Sequence, residues 1–154
     1  MKNLSKSLNE YSNKIYSQFG EDGIINEILN RIGGDNLDKW CVELGARDGI
    51  SDSNTYNLTK NNNYKAVLIE GDKKYYKKLC KNFISDEIIK INKFVDFEGN
   101  NSLEKILQLT KIPKYFDLLS IDIDGCDYFI FKSLELYRPK ILCIEFNHLI
   151  PNEV

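Results

Sequence analysis

The residues able to do chemistry in this chain stand where apolar runs end. Glu43, Gly45 and Gly49 close one run, Glu70 a second and Asp96 a third; Asp122 and Asp124 alternate at the end of a fourth, and Glu145 and Asn147 follow a fifth. Glycine serves where the backbone turns through φ > 0 or must approach a ligand more closely than a Cβ allows. A carboxylate at a strand end can accept both hydroxyls of a ribose through charge-assisted bonds. Glu70, 25 positions after Gly45, falls near the ~20-residue spacing at which a ribose-binding acid follows a nucleotide-binding glycine turn. Asp96 can receive the exocyclic amine of a base, or serve only as a turn aspartate. Asp122, Asp124, Glu145 and Asn147 form an oxygen-only donor set suited to a hard cation such as Mg²⁺. The plainer alternative is that some of them cap helices or bond an adjacent loop. Asp122 is the stronger candidate for a base or a group that positions an acceptor.

The elements that must hold these residues follow from periodicity. Met1 to Tyr16 reads as a polar arm, and residues 17–154 as one domain. Ile24, Ile25, Ile28, Leu29 and Ile32 mark the apolar stripe of an amphipathic helix, stopped by Gly33-Gly34. Gln18, Glu21 and Asp22 stand at its start, within reach of a ligand, although acids there are favoured by the helix dipole alone. Trp40–Leu44 predicts the first strand, and Ser51 to Thr55 supply cap chemistry for a short helix over Leu58–Asn62. A second strand ends at Glu70, and Asp72 caps a helix whose Tyr75, Tyr76, Leu79 and Phe83 point to the core. Ile88–Val95 predicts strand three. Asn101 with Glu104 resembles a capping box, opening a helix that runs to Pro113. Strand four starts at Tyr115, a helix covers about Asp127 to Leu136, and Lys140–Phe146 is strand five. Strands separated by helices require crossovers, hence a parallel α/β sheet. All the acids and glycines then share its C-terminal edge, where such sheets bind ligands.

Bulk properties exclude other classes. With 42% hydrophobic and 29% charged residues, the chain can bury a core. Its net charge of -2 gives no electrostatic case for nucleic acid or an anionic membrane as partner. Lys73, Lys74, Lys77, Lys78 and Lys81 read as a solvated helix face. Cys41, Cys80, Cys126 and Cys143 form no C-x-x-C pair, which argues against zinc and for reduced thiols. His148, the one histidine, titrates in the range of a general base, but near a chain end it reads better as an exposed loop residue. Met1 to Lys14 lacks the apolar core of a signal peptide, and no run approaches the ~18 apolar residues of a membrane span. A cytoplasmic protein is expected.

Several ordered blocks carry a resemblance to a family. Tyr16-Ser17-Gln18-Phe19-Gly20-Glu21-Asp22-Gly23, Cys41 to Gly49 with Ser53-Asn54-Thr55, Leu68-Ile69-Glu70-Gly71-Asp72, and Ser120-Ile121-Asp122-Ile123-Asp124-Gly125 resemble the FkbM-type S-adenosylmethionine-dependent methyltransferases over about Tyr16 to Asn147. The resemblance implies a Rossmann-like class I methyltransferase fold, S-adenosylmethionine as cofactor, and methyl transfer to oxygen on a sugar or similar small hydroxyl-bearing acceptor. It implies that Glu43, Gly45, Ala46 and Gly49 line the methionine and ribose part, that Glu70 holds the ribose and that Asp96 sits near the adenine. Arg47 stands where the general class I pattern has glycine, so either the turn is wider or its guanidinium meets the cofactor's carboxylate.

Class I enzymes carry two strands after the fifth, and this chain ends at Val154. The expectation is a truncated or split sheet whose fifth-strand edge is covered by a second copy or a partner chain. A non-catalytic cofactor-binding or assembly module is the rival reading. Ile121-Asp122-Ile123-Asp124-Gly125 also mimics a haloacid dehalogenase-type D-x-D-G signature, but that strand should open its domain, and only 30 residues follow Asp124. A dehydrogenase needs G-x-G-x-x-G, which Gly45 to Gly49 do not supply.

Overall fold

The computed structural model describes residues 6–146. Five parallel strands, β1 (Trp40–Leu44), β2 (Lys65–Ile69), β3 (Ile88–Ile91), β4 (Tyr115–Ile121) and β5 (Arg138–Ile144), form one sheet in the order β3-β2-β1-β4-β5. Both faces of the sheet are buried, which is why its strands read as continuous apolar runs. Val42, Leu44, Val67, Ile69, Leu119 and Ile121 pack against α4 (Leu103–Gln108) and α5 (Asp127–Lys132). The alternate residues Cys41, Ala66, Leu68 and Leu118 face α1 (Glu21–Ile32), α2 (Tyr56–Asn61) and α3 (Lys73–Asn82). The result is a Rossmann-like α/β fold with helices on both faces. The strand order reverses between β1 and β4, and in open parallel sheets this is where a crevice opens beyond the C-terminal strand ends.

Local chemistry sets the element ends. Asp72 caps α3 as expected, its carboxylate accepting the N–H groups of Lys74 (2.7 Å) and Tyr75 (3.0 Å). At α4 the expected Asn101/Glu104 capping box is replaced by Ser102, whose hydroxyl accepts from Lys105 N. Glu104 instead reaches forward and accepts the N–H groups of Glu135 and Leu136. Strand three ends at Ile91 rather than Val95, because its partner β2 ends at Ile69, paired with Ile91. Strand five begins at Arg138, two residues early, and α5 stops at Lys132. Among the described residues β5 pairs with β4 alone.

The arm before α1 is held by one buried acid. Asp22, 1% exposed, accepts through Oδ2 the N–H groups of Ile15 (3.0 Å), Tyr16 (2.7 Å) and Ser17 (2.7 Å), while the Ser17 hydroxyl accepts from Asp22 N (3.1 Å). Three charge-assisted bonds to consecutive amides fix the segment against the helix start. The four cysteines are free, with Cys41 fully buried. The five lysines of α3 are exposed, as its solvated face predicts. No helix among the described residues is long and apolar enough to cross a membrane.

Candidate active site

A cleft of about 820 Å³ opens at the C-terminal edge of the sheet, lined by residues that follow all five strands. That volume falls within the usual range for small-molecule sites. The turn after β1 forms its floor. Gly45 N and Ala46 N both donate to the carbonyl of Ile69 at 3.1 Å, joining this turn to the end of β2. Gly45 has φ +73, and a Cβ there would run into the carbonyl oxygen of Asp122. The glycine thus lets the β1 and β4 exits close on each other. Gly49, with φ +78, does not face the cleft; a Cβ would strike Leu79 and Phe83 of α3. Ala46 is buried beneath the turn and lines only a neighbouring crevice of about 60 Å³. Arg47 adopts a left-handed conformation, φ +50, where a glycine is the usual choice.

Glu70 is the hub of the rim. It is 7% exposed, and its two carboxylate oxygens accept the N–H groups of Arg47 and Asp72, each at 2.7 Å. Each oxygen keeps a further lone pair for a ligand hydroxyl. Asn92 donates to the Glu70 carbonyl at 2.8 Å, which ties in the β3 exit. Glu43 is directed inward. It accepts from the hydroxyls of Ser53 and Thr55, both at 2.7 Å, and from Asn54 N at 2.8 Å, so it shapes the loop and borders the small crevice. Burial pushes its carboxyl above the ordinary range, partly offset by those three donors.

The acids beyond β4 and β5 come together. Oxygens of Asp122, Asp124 and Glu145 lie within 4.8 Å of one another on an exposed surface. Asp127, 6% exposed, fixes the turn by accepting from Ile123 N (3.0 Å) and Gly125 N (2.9 Å), with Asp124 held at φ +58. Burial raises the Asp122 carboxyl, reinforced by Asp124 and Asp127; burial and then Asp122 raise Glu145 in the same way. Asn147 and His148 lie outside the described residues.

Asp96 is not among the residues that line the cleft. Because β3 stops at Ile91, Lys93, Phe94 and Val95 take the rim, and Asp96 is an exposed turn residue accepting from Phe97 N at 2.8 Å. Phe94, 76% exposed, lays its ring against Gly71 and forms an apolar wall with Ile69 and Val95. Tyr75 also lines the cleft rather than the core, with the Arg47 guanidinium 5.2 Å from its ring centroid, a cation–π contact. Nothing in the sequence around Phe94 separated it from the strand before it. For Tyr75, its place one turn into α3, beside the rim, was the available signal.

The fold and the rim define a Rossmann-like α/β protein with an open cleft at its topological switch point. No family model, curated protein or solved structure matches the chain.

Proposed function

We propose that this cleft binds S-adenosylmethionine and that the chain is a methyltransferase acting on a small hydroxyl-bearing acceptor. The observation that carries the reading is Glu70: a nearly buried carboxylate with spare lone pairs, at the end of β2, bonded to the turn that contains Gly45. That is the arrangement a ribose diol requires. The donor set suits the rest of such a cofactor. An apolar wall of Ile69, Phe94 and Val95 offers a flat base a surface to stack on, and the acids across the cleft suit a sulfonium cation. The ordered FkbM-type blocks in the sequence point the same way.

When bound, the cofactor supplies an electrophilic methyl group. The chain's own part is positioning, which can account for much of the acceleration when an acceptor is held within ~3 to 3.5 Å of its target. Asp122, with its carboxyl raised by burial, is suited to accept the acceptor's proton. Asp124 and Glu145 complete an oxygen set able to hold Mg²⁺, which would lower the acceptor's own pKa.

Calorimetric titration of the purified chain with S-adenosylhomocysteine tests the reading; saturable one-to-one binding is expected, and no heat at millimolar ligand would overturn it. Methyl-transfer turnover distinguishes an enzyme from a binding module. If Mg²⁺ takes part, a chelator abolishes turnover and added Mg²⁺ restores it; full activity in chelator removes the metal from the scheme.

A further inference from the structure

From Lys73 to Asn82, α3 carries five lysines and no acid, in a chain whose net charge is -2. At about 100° and about 1.5 Å per residue, Lys73, Lys74, Lys77, Lys78 and Lys81 fall within an arc of about 140° and about 12 Å of helix axis. All five are exposed, and none forms an ion pair among the described residues; Lys78 acts on Asp48 only beyond ion-pair distance. Lys73 and Lys77, Lys74 and Lys78, and Lys77 and Lys81 stand four apart, so each like-charged pair works against the helix. A face that repels itself and has no acid paired to it is complementary to an external polyanion.

The rest of α3 narrows the partner. Its apolar side, with Leu79 buried and Tyr76 packed beside it, is covered by the body of the domain, so the helix keeps no apolar face to enter a membrane. Tyr75 has the Arg47 guanidinium and the Lys78 ammonium each 5.2 Å from its ring centroid, so it is no free platform for a nucleobase. All five cations are lysines, point charges without the arginine fork that grips a single phosphate. They suit charges repeated along a flexible chain. The helix also begins at the cleft, since Asp72, which caps it, and Tyr75 both line that cleft. We infer that α3 is a docking surface for an anionic polysaccharide held beside the mouth of the cleft. The choice of a polysaccharide among anionic polymers rests on the hydroxyl-acceptor reading above; the basic face does not.

Polygalacturonate, a polymer of hydroxyls and carboxylates, is the probe, with neutral dextran as the control. The full chain should bind polygalacturonate and not dextran, and the affinity should fall as salt rises from about 0.02 to about 0.5 M. The triple variant Lys74→Gln, Lys77→Gln, Lys81→Gln should bind roughly tenfold more weakly, the combined scale of three exposed ion pairs. It should melt no lower than the wild type, because like-charged neighbours are removed, and S-adenosylhomocysteine binding should not change. Arginine at the same three positions should keep the affinity. An undiminished affinity in the glutamine variant, or an equal loss in the arginine variant, overturns the docking surface. Tighter binding of an oligothymidylate or of phosphatidylserine vesicles than of polygalacturonate overturns the choice of partner. A wild-type chain that binds S-adenosylhomocysteine but not polygalacturonate loses the docking surface alone; one that binds polygalacturonate but not S-adenosylhomocysteine keeps it and loses the cofactor reading.

Discussion

The two ends of the sheet treat their carboxylates in opposite ways. At the N-terminal end Asp117, fully buried in β4, accepts from Asp38 N (3.0 Å), Lys39 N (2.9 Å) and the Lys140 ammonium (2.7 Å), while Lys140 also binds Asp38. Asp117, Lys140 and Asp38 are thus all paired. At the C-terminal end Asp122, Asp124 and Glu145 crowd together, and none forms an ion pair with a Lys or Arg among the described residues. One end is arranged for stability. The other keeps like charges close, with only Arg47, outside ion-pair distance, acting on Asp122, an arrangement that opposes folding and is worth keeping where a ligand supplies further positive charge.

The largest expected effect lies at the paired end. Asp117→Ala leaves Lys140 with only Asp38 and strands two backbone N–H groups, so stability should fall by about 3 kcal/mol. Urea denaturation measures it. A loss under ~1 kcal/mol would mean that the N-terminal end is no more stabilising than a surface ion pair, and the contrast would fail.

At the ligand end the effect should appear in binding. Glu70→Ala should weaken S-adenosylhomocysteine binding by about 1.5 to 3 kcal/mol, the scale of a hydrogen bond to a charged group. Because Glu70 also holds Arg47 N and Asp72 N, Glu70→Gln is the sharper variant. It keeps an acceptor oxygen but loses the charge, so it should retain part of the affinity. Calorimetry on both variants decides, and an unchanged dissociation constant in each would take Glu70 out of the site.

How much of this the sequence disclosed depends on how far away each residue's partner lies. The strands were legible because the sheet is buried on both faces. Trp40–Leu44 is found where its composition places it, and Asp72 caps α3 through bonds two and three residues away. The end of β3 was not legible, since Phe94 and Val95 continue its apolar run while the pairing length is set by β2. That error carried Asp96 onto the rim and hid Phe94. The glycines were read as turning the backbone through φ > 0 or making room for a ligand, and Gly45 and Gly49 do take positive φ. Their positions do exclude a Cβ, but the excluding neighbours are the Asp122 carbonyl at Gly45 and the α3 side chains at Gly49. Asp117 drew no notice inside its strand because its backbone donors lie 78 and 79 positions away.

The smallest effect is the most specific to the contrast, because the two ends should respond to pH in opposite windows. Asp122 and Glu145 have carboxyls raised in the folded chain by burial and by neighbouring acids, Asp124 and Asp127 acting on Asp122, and Asp122, Asp124 and Asp127 acting on Glu145. Between the ordinary carboxyl range near ~4 and the raised values, the folded chain binds more protons than the unfolded one. Stability therefore falls as pH rises through that window. At the other end burial works against the Lys140 ammonium, but its bonds to Asp117 and Asp38 outweigh this and raise it. That contribution is fully present below the ordinary lysine value near ~10.4 and is lost only as pH climbs through the raised one. Asp122→Asn removes one of the crowded charges, so it should raise the melting temperature at pH 7 by on the order of 1–2 °C and flatten its decline between pH 4 and 7. The alkaline limb should not move. Should Asp122→Asn lower the melting temperature at pH 7 and leave the acid limb as steep as before, Asp122 would be a structural acceptor, and the rim would differ from the base of the sheet only in exposure.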